Sequence, residues 1–311
     1  MIRVLRWGQA EYERDPIGPL PPGVELLTWS LGDDAPIEAM DVVVVPSLRR
    51  VRAEHVLRMR PGTLVLTTTS GFDHVDVDAA LARGVRCARL PLARRDAVVQ
   101  STLGTIFALT RRIAPMQDGA RAGRWERAEL PAHGATVAKT VAVFGAAGVI
   151  GRRMVEVLRA IGLDVLAVDP ALTTTVGARE ALAESDVVTL HCSMRDANER
   201  LIGAEAIAEM RPGAVLVNTA RGRLVDVDAA LRAVVSGHLG GLGLDVFPVE
   251  PAPLAAYAHP RVLLTPHAAG WHPGLGRAIA EGVSEAVTAY VAGFPVPFEL
   301  NAADDRSLPR R

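Results

Sequence analysis

Apolar residues along the chain fall into two kinds of run. The first kind is short and nearly continuous: "MIRVLRW" (1–7), "DVVVVP" (41–46), "TLVLTT" (63–68), "TVAVF" (140–144), "DVLAVD" (164–169), "DVVTLH" (186–191) and "GAVLVN" (213–218). Strands covered on both faces read this way, as in a parallel sheet with helices on each side. In the second kind, apolar positions recur every three or four residues. "VDAALRAVVSG" (227–237) is an example, with a glycine where the helix should stop. Alternation of the two along the whole chain predicts an α/β protein whose parallel strands are joined by helical crossovers.

Two longer helical patterns bear on how the chain divides. One, "RDAVVQSTLGTIFALTRRI" (95–113), follows the first group of strands. A polar, irregular segment ending near His133 then leads into the second group. The other pattern, roughly 274–292, closes the chain and can return to the first domain, making it discontinuous. A length of 311 residues fits two domains of ordinary size.

Composition narrows the function classes. The chain is 49% apolar, enough for each domain to bury a core, and its formal net charge of -1 speaks against binding nucleic acid by phosphate neutralisation. No apolar run approaches the roughly 20 residues that span a bilayer, and the first seven residues are too short for a signal peptide. Two cysteines, Cys87 and Cys192, allow neither a disulfide framework nor a cysteine-rich metal site, so a reducing cytoplasm and no metal are expected. Lys139, the only lysine, precedes the strand of residues 140–144, where it is misplaced for a P-loop.

The chemistry begins at "KTVAVFGAAGVIGRRM" (139–154). A dinucleotide fingerprint sets glycines at positions one, three and six after a strand. Gly145, Gly148 and Gly151 give a loop one residue longer, in which Gly148 and Gly151 are expected to let backbone N–H groups approach a pyrophosphate. Asp169 ends the next strand, 18 residues beyond Gly151, where a carboxylate accepts hydrogen bonds from the adenosine ribose and repels a 2′-phosphate. NAD is therefore favoured over NADP. Three further candidates follow strands in the second half: Arg221 in "VNTARGRLVD", Asp245 and Glu250 in "GLDVFPVEP", and His267 in "VLLTPHAAG". Singly, each reads as a solvated or turn residue. Together they meet the needs of carbonyl reduction: an imidazole to protonate the developing alkoxide, a carboxylate to hold its ring, and a guanidinium for a substrate acid.

"LVNTARGRLVD", "GLDVFPVEP" and "TPHAAG", in this order, resemble the D-isomer-specific 2-hydroxyacid dehydrogenase family. The likeness extends through 185–214, "RAGRWE" (121–126) and "SGFDHVDVDAALARGV" (70–85). It implies two doubly wound parallel-sheet domains: a flavodoxin-like substrate domain of residues 1–96 and 288–311, and a Rossmann NAD-binding domain of residues 97–287. It implies Arg221 as substrate-binding arginine, His267 as acid/base and Glu250 as its partner, with backbone contacts to the substrate acid near Ser70 and Gly71. Val149, Ile150, Asp169, Cys192, Thr219, Ala220 and Asp245 would line NAD. The activity implied is hydride transfer between the nicotinamide and a small 2-hydroxy or 2-keto acid, in a homodimer. Formate or phosphite oxidation, and an NADH-sensing corepressor-like interaction protein, are the other activities found among such sequences. The chain departs from the family in its longer glycine loop, which resembles that of malate dehydrogenases, and in reading Val98-Val99-Gln100 at the start of the inter-domain helix. Trp271, just past the histidine motif, either walls a pocket or packs at a helix start.

Overall fold

A computed structural model describes residues 1–8, 15–30, 32, 34–125, 127, 136–173 and 175–301. Glu126, His133 and residues 302–311, drawn on above, lie outside the described residues. The chain forms two compact units, one of Met1–Arg95 with the chain from Trp271 on, the other of Asp96–Gly270.

In the first unit five parallel strands are ordered β2-β1-β3-β4-β5: β1 (Ile2–Trp7), β2 (Val24–Trp29), β3 (Val42–Val45), β4 (Leu64–Thr67) and β5 (Arg86–Arg89). This is the flavodoxin-like order. Side chains of successive strand residues point to opposite faces, and both faces are covered. Val43, Val45 and Val65 pack with Val56 of α1 (Ala53–Arg58) and Ala80 of α2 (Val77–Ala82), while Val42, Val44, Leu64 and Leu66 meet the closing helix, α9 (Leu275–Val291). That helix buries Leu275, Ile279, Val283 and Val287, a stripe at four-residue spacing. The chain accordingly returns to the first unit at Trp271, before the helix begins. The division expected at residue 288 would cut through the helix's last turn, and an amphipathic stripe of this kind cannot be shared between two cores.

The second unit carries six parallel strands in the order β11-β10-β9-β8-β6-β7: β6 (Thr140–Phe144), β7 (Asp164–Val168), β8 (Val187–Leu190), β9 (Val215–Asn218), β10 (Gly241–Leu244) and β11 (Val262–Leu264). Helices α3 (Leu92–Thr110) and α5 (Val149–Ala160) cover one face, and α6 (Ala178–Glu184), α7 (Ala204–Glu209) and α8 (Val227–Ser236) the other. Short α4 (Ile113–Arg121) follows α3. Gly237 caps α8 at a φ of 83°, as the sequence pattern anticipates. β2 and β5 escape the sequence reading because charged residues interrupt them. Among the described residues no helix is long and apolar enough to cross a membrane.

Candidate active site

The strands of the second sheet end in step. Phe144, Leu190, Asn218 and Leu244 are register partners across β6, β8, β9 and β10, and Leu244 pairs with Leu264 of β11. Parallel strands lie about 4.8 Å apart, so the residues that follow them are set side by side along one edge. Ligands of open α/β sheets bind at that edge, nearest the point where the strand order reverses. Here the reversal lies at β6, flanked by β7 on one side and β8 on the other.

Gly145 leaves β6 at a φ of 83° and donates its N–H to Val168 O at 2.9 Å. A Cβ on Gly145 would stand 2.6 Å from the carbonyl carbon of His191 and 2.7 Å from Cys192 N, and one on Gly151 would overlap the carbonyl oxygen of Gly145. These two glycines are thus required, one for the turn and one for helix–strand packing. Gly148, the N-cap of α5, is less confined, with 3.3 Å between such a Cβ and Gly145 O. All three glycines belong to the loop the sequence points to, and the close approach falls on Gly145 and Gly151, where the sequence reading expects it at Gly148 and Gly151.

The extra loop residue is absorbed by Asp169. Its Oδ2 accepts the Ala147 N–H at 3.1 Å, and its Oδ1 accepts that of Ala171 at 2.9 Å. A carboxylate oxygen has two lone pairs, so each retains capacity for a hydroxyl. Beyond it, Val149 and Ile150 lie in the first turn of α5, whose N–H groups have no acceptor within the helix. Crowded glycines, a helix N-terminus and a carboxylate one strand away together fit a dinucleotide. On the neighbouring turn, burial pushes the His191 imidazole down to about 4, leaving it neutral near pH 7. Burial, reinforced by the Asp169 charge, pushes the Cys192 thiol up to about 12, so it offers packing and no charge. Cys87, in the first unit, is raised to about 12 in the same way, chiefly by burial.

The remaining residues follow the next three strands along the edge, β9, β10 and β11. Asn218 ends β9 and shapes the turn after it, donating from Nδ2 to Arg221 O (2.8 Å) and accepting the Ala220 N–H at Oδ1 (3.0 Å). Arg221 is half-buried, with one guanidinium N–H on Ala220 O at 2.8 Å. Thr219 Oγ1 lies 2.9 Å from Thr102 Oγ1, whose own proton goes to Val98 O, so Thr219 is the donor of that pair. Gly222 admits no side chain: a Cβ there would overlap the Phe247–Pro248 backbone, part of the loop that leads to Glu250.

Asp245 is buried, and its carboxylate organises the histidine loop. Oδ1 accepts from Thr265 Oγ1 (2.6 Å) and from the N–H groups of Ala268 (2.8 Å) and Ala269 (3.2 Å), and Oδ2 accepts the latter at 3.1 Å. His267 donates its own N–H to Asp245 O at 2.7 Å and holds a φ of 53°, unusual for a residue with a side chain. Its Nδ1 meets Glu250 Oε2 at 2.7 Å, while Glu250 Oε1 is anchored by the Phe247 N–H at 2.9 Å. Facing a carboxylate, Nδ1 carries a proton, which leaves Nε2 to exchange one from a side chain that is 51% exposed. Hydrogen bonds therefore join Glu250, His267 and Asp245, and Arg221 stands on the adjoining turns. Ser70 and Gly71 belong to the other unit, just past β4, and Trp271 opens that unit's returning segment. Nothing in the sequence alone marks Asn218, Gly222 or Thr265, because their roles depend on neighbours distant in sequence.

Residues 103–269 match the family described as D-isomer specific 2-hydroxyacid dehydrogenase, NAD binding domain. A D-3-phosphoglycerate dehydrogenase of Mycobacterium leprae is 33% identical over 298 residues, covering 88% of this chain and 54% of that protein. A glycerate dehydrogenase of Methylorubrum extorquens is 30% identical over 281 residues, 86% of this chain and 88% of the other. Among solved structures, the pyruvate reductase of Chlamydomonas reinhardtii superposes with a TM-score of 0.70 at 28% identity, covering 95% of this chain and 98% of that one. The chain thus belongs to the D-isomer-specific 2-hydroxyacid dehydrogenase family, with residues 103–269 as its NAD-binding domain. It spans about half the length of the phosphoglycerate dehydrogenases it matches.

Proposed function

We propose that this protein is an NAD-dependent dehydrogenase of small 2-hydroxy acids, working as a 2-ketoacid reductase. The observation that carries the reading is the His267–Glu250 pair, with Nε2 left open on the same sheet edge as the glycine loop and Asp169. NADH, when bound there, would supply the hydride that the carbonyl carbon accepts. Protonated His267 gives its Nε2 proton to the carbonyl oxygen as negative charge develops there. Glu250 keeps the ring oriented through Nδ1. The Arg221 guanidinium pairs with the substrate carboxylate and polarises the adjacent carbonyl. In the oxidative direction, neutral His267 takes the hydroxyl proton at Nε2. From the first unit, the N–H groups of Ser70 and Gly71 are assigned to the substrate acid.

On the cofactor side, Gly148 and Gly151 let the backbone of Val149 and Ile150 reach the pyrophosphate, and Asp169 accepts from the ribose. Cys192, Thr219, Ala220 and Asp245 line the rest. A three-carbon 2-keto acid is favoured, since glycerate and pyruvate are what two of the relatives are named for. Assays of glyoxylate, hydroxypyruvate, pyruvate and bulkier 2-keto acids, with NADH and NADPH in parallel, test the reading. NADH oxidation is expected with at least one of them. Asp169→Ser is expected to shift the ratio of kcat/KM values toward NADPH by about tenfold or more, because the charge that repels a 2′-phosphate is gone. Silence across the panel, or NAD reduction by formate or phosphite faster than by any hydroxy acid, would refute it.

The same reading takes the protein as a cytoplasmic homodimer. Two inert thiols suit a reducing compartment, and Trp125, 90% exposed, is an apolar surface that a second subunit would cover. Sedimentation equilibrium should give twice 33.0 kDa, and a monomer at micromolar concentration would overturn the dimer.

A further inference from the structure

The loop after β4 has an unusual hydrogen-bond economy. Four consecutive carbonyls, Thr68 to Gly71, are each taken by a donor from within the first unit. Arg94 donates to Thr68 O at 2.6 Å, the Leu90 N–H to Thr69 O at 3.2 Å, Arg89 to Ser70 O at 3.0 Å, and Thr69 Oγ1 to Gly71 O at 2.6 Å. Among the described residues, the N–H groups of Ser70, Gly71 and Phe72 meet no acceptor. Ser70 and Gly71 are half-buried, so the expense of leaving their donors unmade is real unless a ligand or water takes them.

The direction of the last of these bonds propagates. A carbonyl only accepts, so the Thr69 hydroxyl proton is committed to Gly71 O. Thr69 Oγ1 must then accept from Thr67 Oγ1, 2.8 Å away, and Thr67 Oγ1 must accept from His74 Nε2 at 2.9 Å. The chain runs one way, His74 to Thr67 to Thr69 to Gly71, and fixes His74 with its proton on Nε2. Two guanidiniums brace the outer end of the loop, and Arg89 also lies over the Phe72 ring at 5.7 Å.

We propose that Arg89, Arg94 and the His74–Thr67–Thr69 relay are positioning residues. They hold the loop with its carbonyls turned into the protein and its N–H groups directed at the carboxylate of the 2-keto acid. This rests on the function proposed above and adds what keeps the carboxylate-binding loop preorganised. Carbonyls left loose would be free to rotate toward the anion and repel it.

Thr69→Val and Arg94→Ala test the inference, measured with the preferred 2-keto acid, with oxalate as a carboxylate probe of the NADH complex, and with NADH alone by fluorescence titration. Each variant is expected to raise KM and the oxalate dissociation constant about tenfold, the loss anticipated for one well-made hydrogen bond to a charged or relayed donor. NADH affinity and kcat should stay within about twofold, and Arg94→Lys should recover part of the lost affinity. Unchanged KM and oxalate binding in both variants, with the wild type active, would overturn this inference alone. So would a parallel loss of NADH binding and melting temperature, which would make the residues merely structural. A wild type that neither turns over nor binds any 2-keto acid would overturn the functional reading and this inference with it.

Discussion

His267→Ala is expected to lower kcat by about 10³-fold while NADH binding stays within twofold of wild type. General acid catalysis is worth about 10²–10⁴-fold. Its Nδ1 is committed to Glu250, whose other oxygen is committed to the Phe247 N–H, so the pair presents a single proton at Nε2. The backbone at this position is itself held by Asp245, through bonds to the N–H groups of His267, Ala268 and Ala269. Truncating the side chain removes none of these. The loop should therefore keep its shape, and stopped-flow measurement of single-turnover hydride transfer, alongside NADH fluorescence titration, separates the two effects. If NADH affinity falls in step with kcat, the histidine is holding structure and the proton donor lies elsewhere.

Gly222→Ala is expected to cost about 2–3 kcal/mol of stability and to lower kcat/KM by about 10²-fold. The added Cβ would overlap the Phe247 carbonyl and the Pro248 nitrogen, which are backbone atoms and cannot swing aside as a side chain would. Relief requires the turn bearing Arg221 and the loop bearing Glu250 to move apart. Overpacking in a close-packed region costs about 1–3 kcal/mol, and misplacing a catalytic group by about 1 Å costs about 10²-fold. Since the Phe247 N–H anchors Glu250, any shift there is passed to the His267 ring. Thermal unfolding together with steady-state kinetics checks both halves. A variant that melts and turns over like wild type would show that the two loops need no such contact.

Much of this site is legible in one dimension because its residues directly follow strands. Runs such as "VAVF" and "AVLVN" report burial on two faces, and in a parallel sheet the residues just past them are delivered to one edge. That logic places Asp169, Arg221, Asp245, Glu250 and His267 on the same edge from the sequence alone. It fails at Gly222, whose reason for being glycine is a backbone segment approaching from 25 residues away. It fails again at residues 271–287. Their pattern shows an amphipathic helix but carries no mark of which sheet its apolar stripe will cover.

The sequence by itself determined the alternating strands and helices, the dinucleotide loop with its acid, and the set of groups able to move a proton and hold an acid. These depend on local periodicity and on chemistry that each residue carries wherever it goes. Only the tertiary structure decided that Asp169 ties off the longer glycine loop, that Asp245 spends its carboxylate on the histidine loop, and that α9 belongs to the first core. Each of those is a hydrogen bond or packed face between segments far apart along the chain. Such a contact exists once folding has brought both partners together, and neither partner alone specifies it.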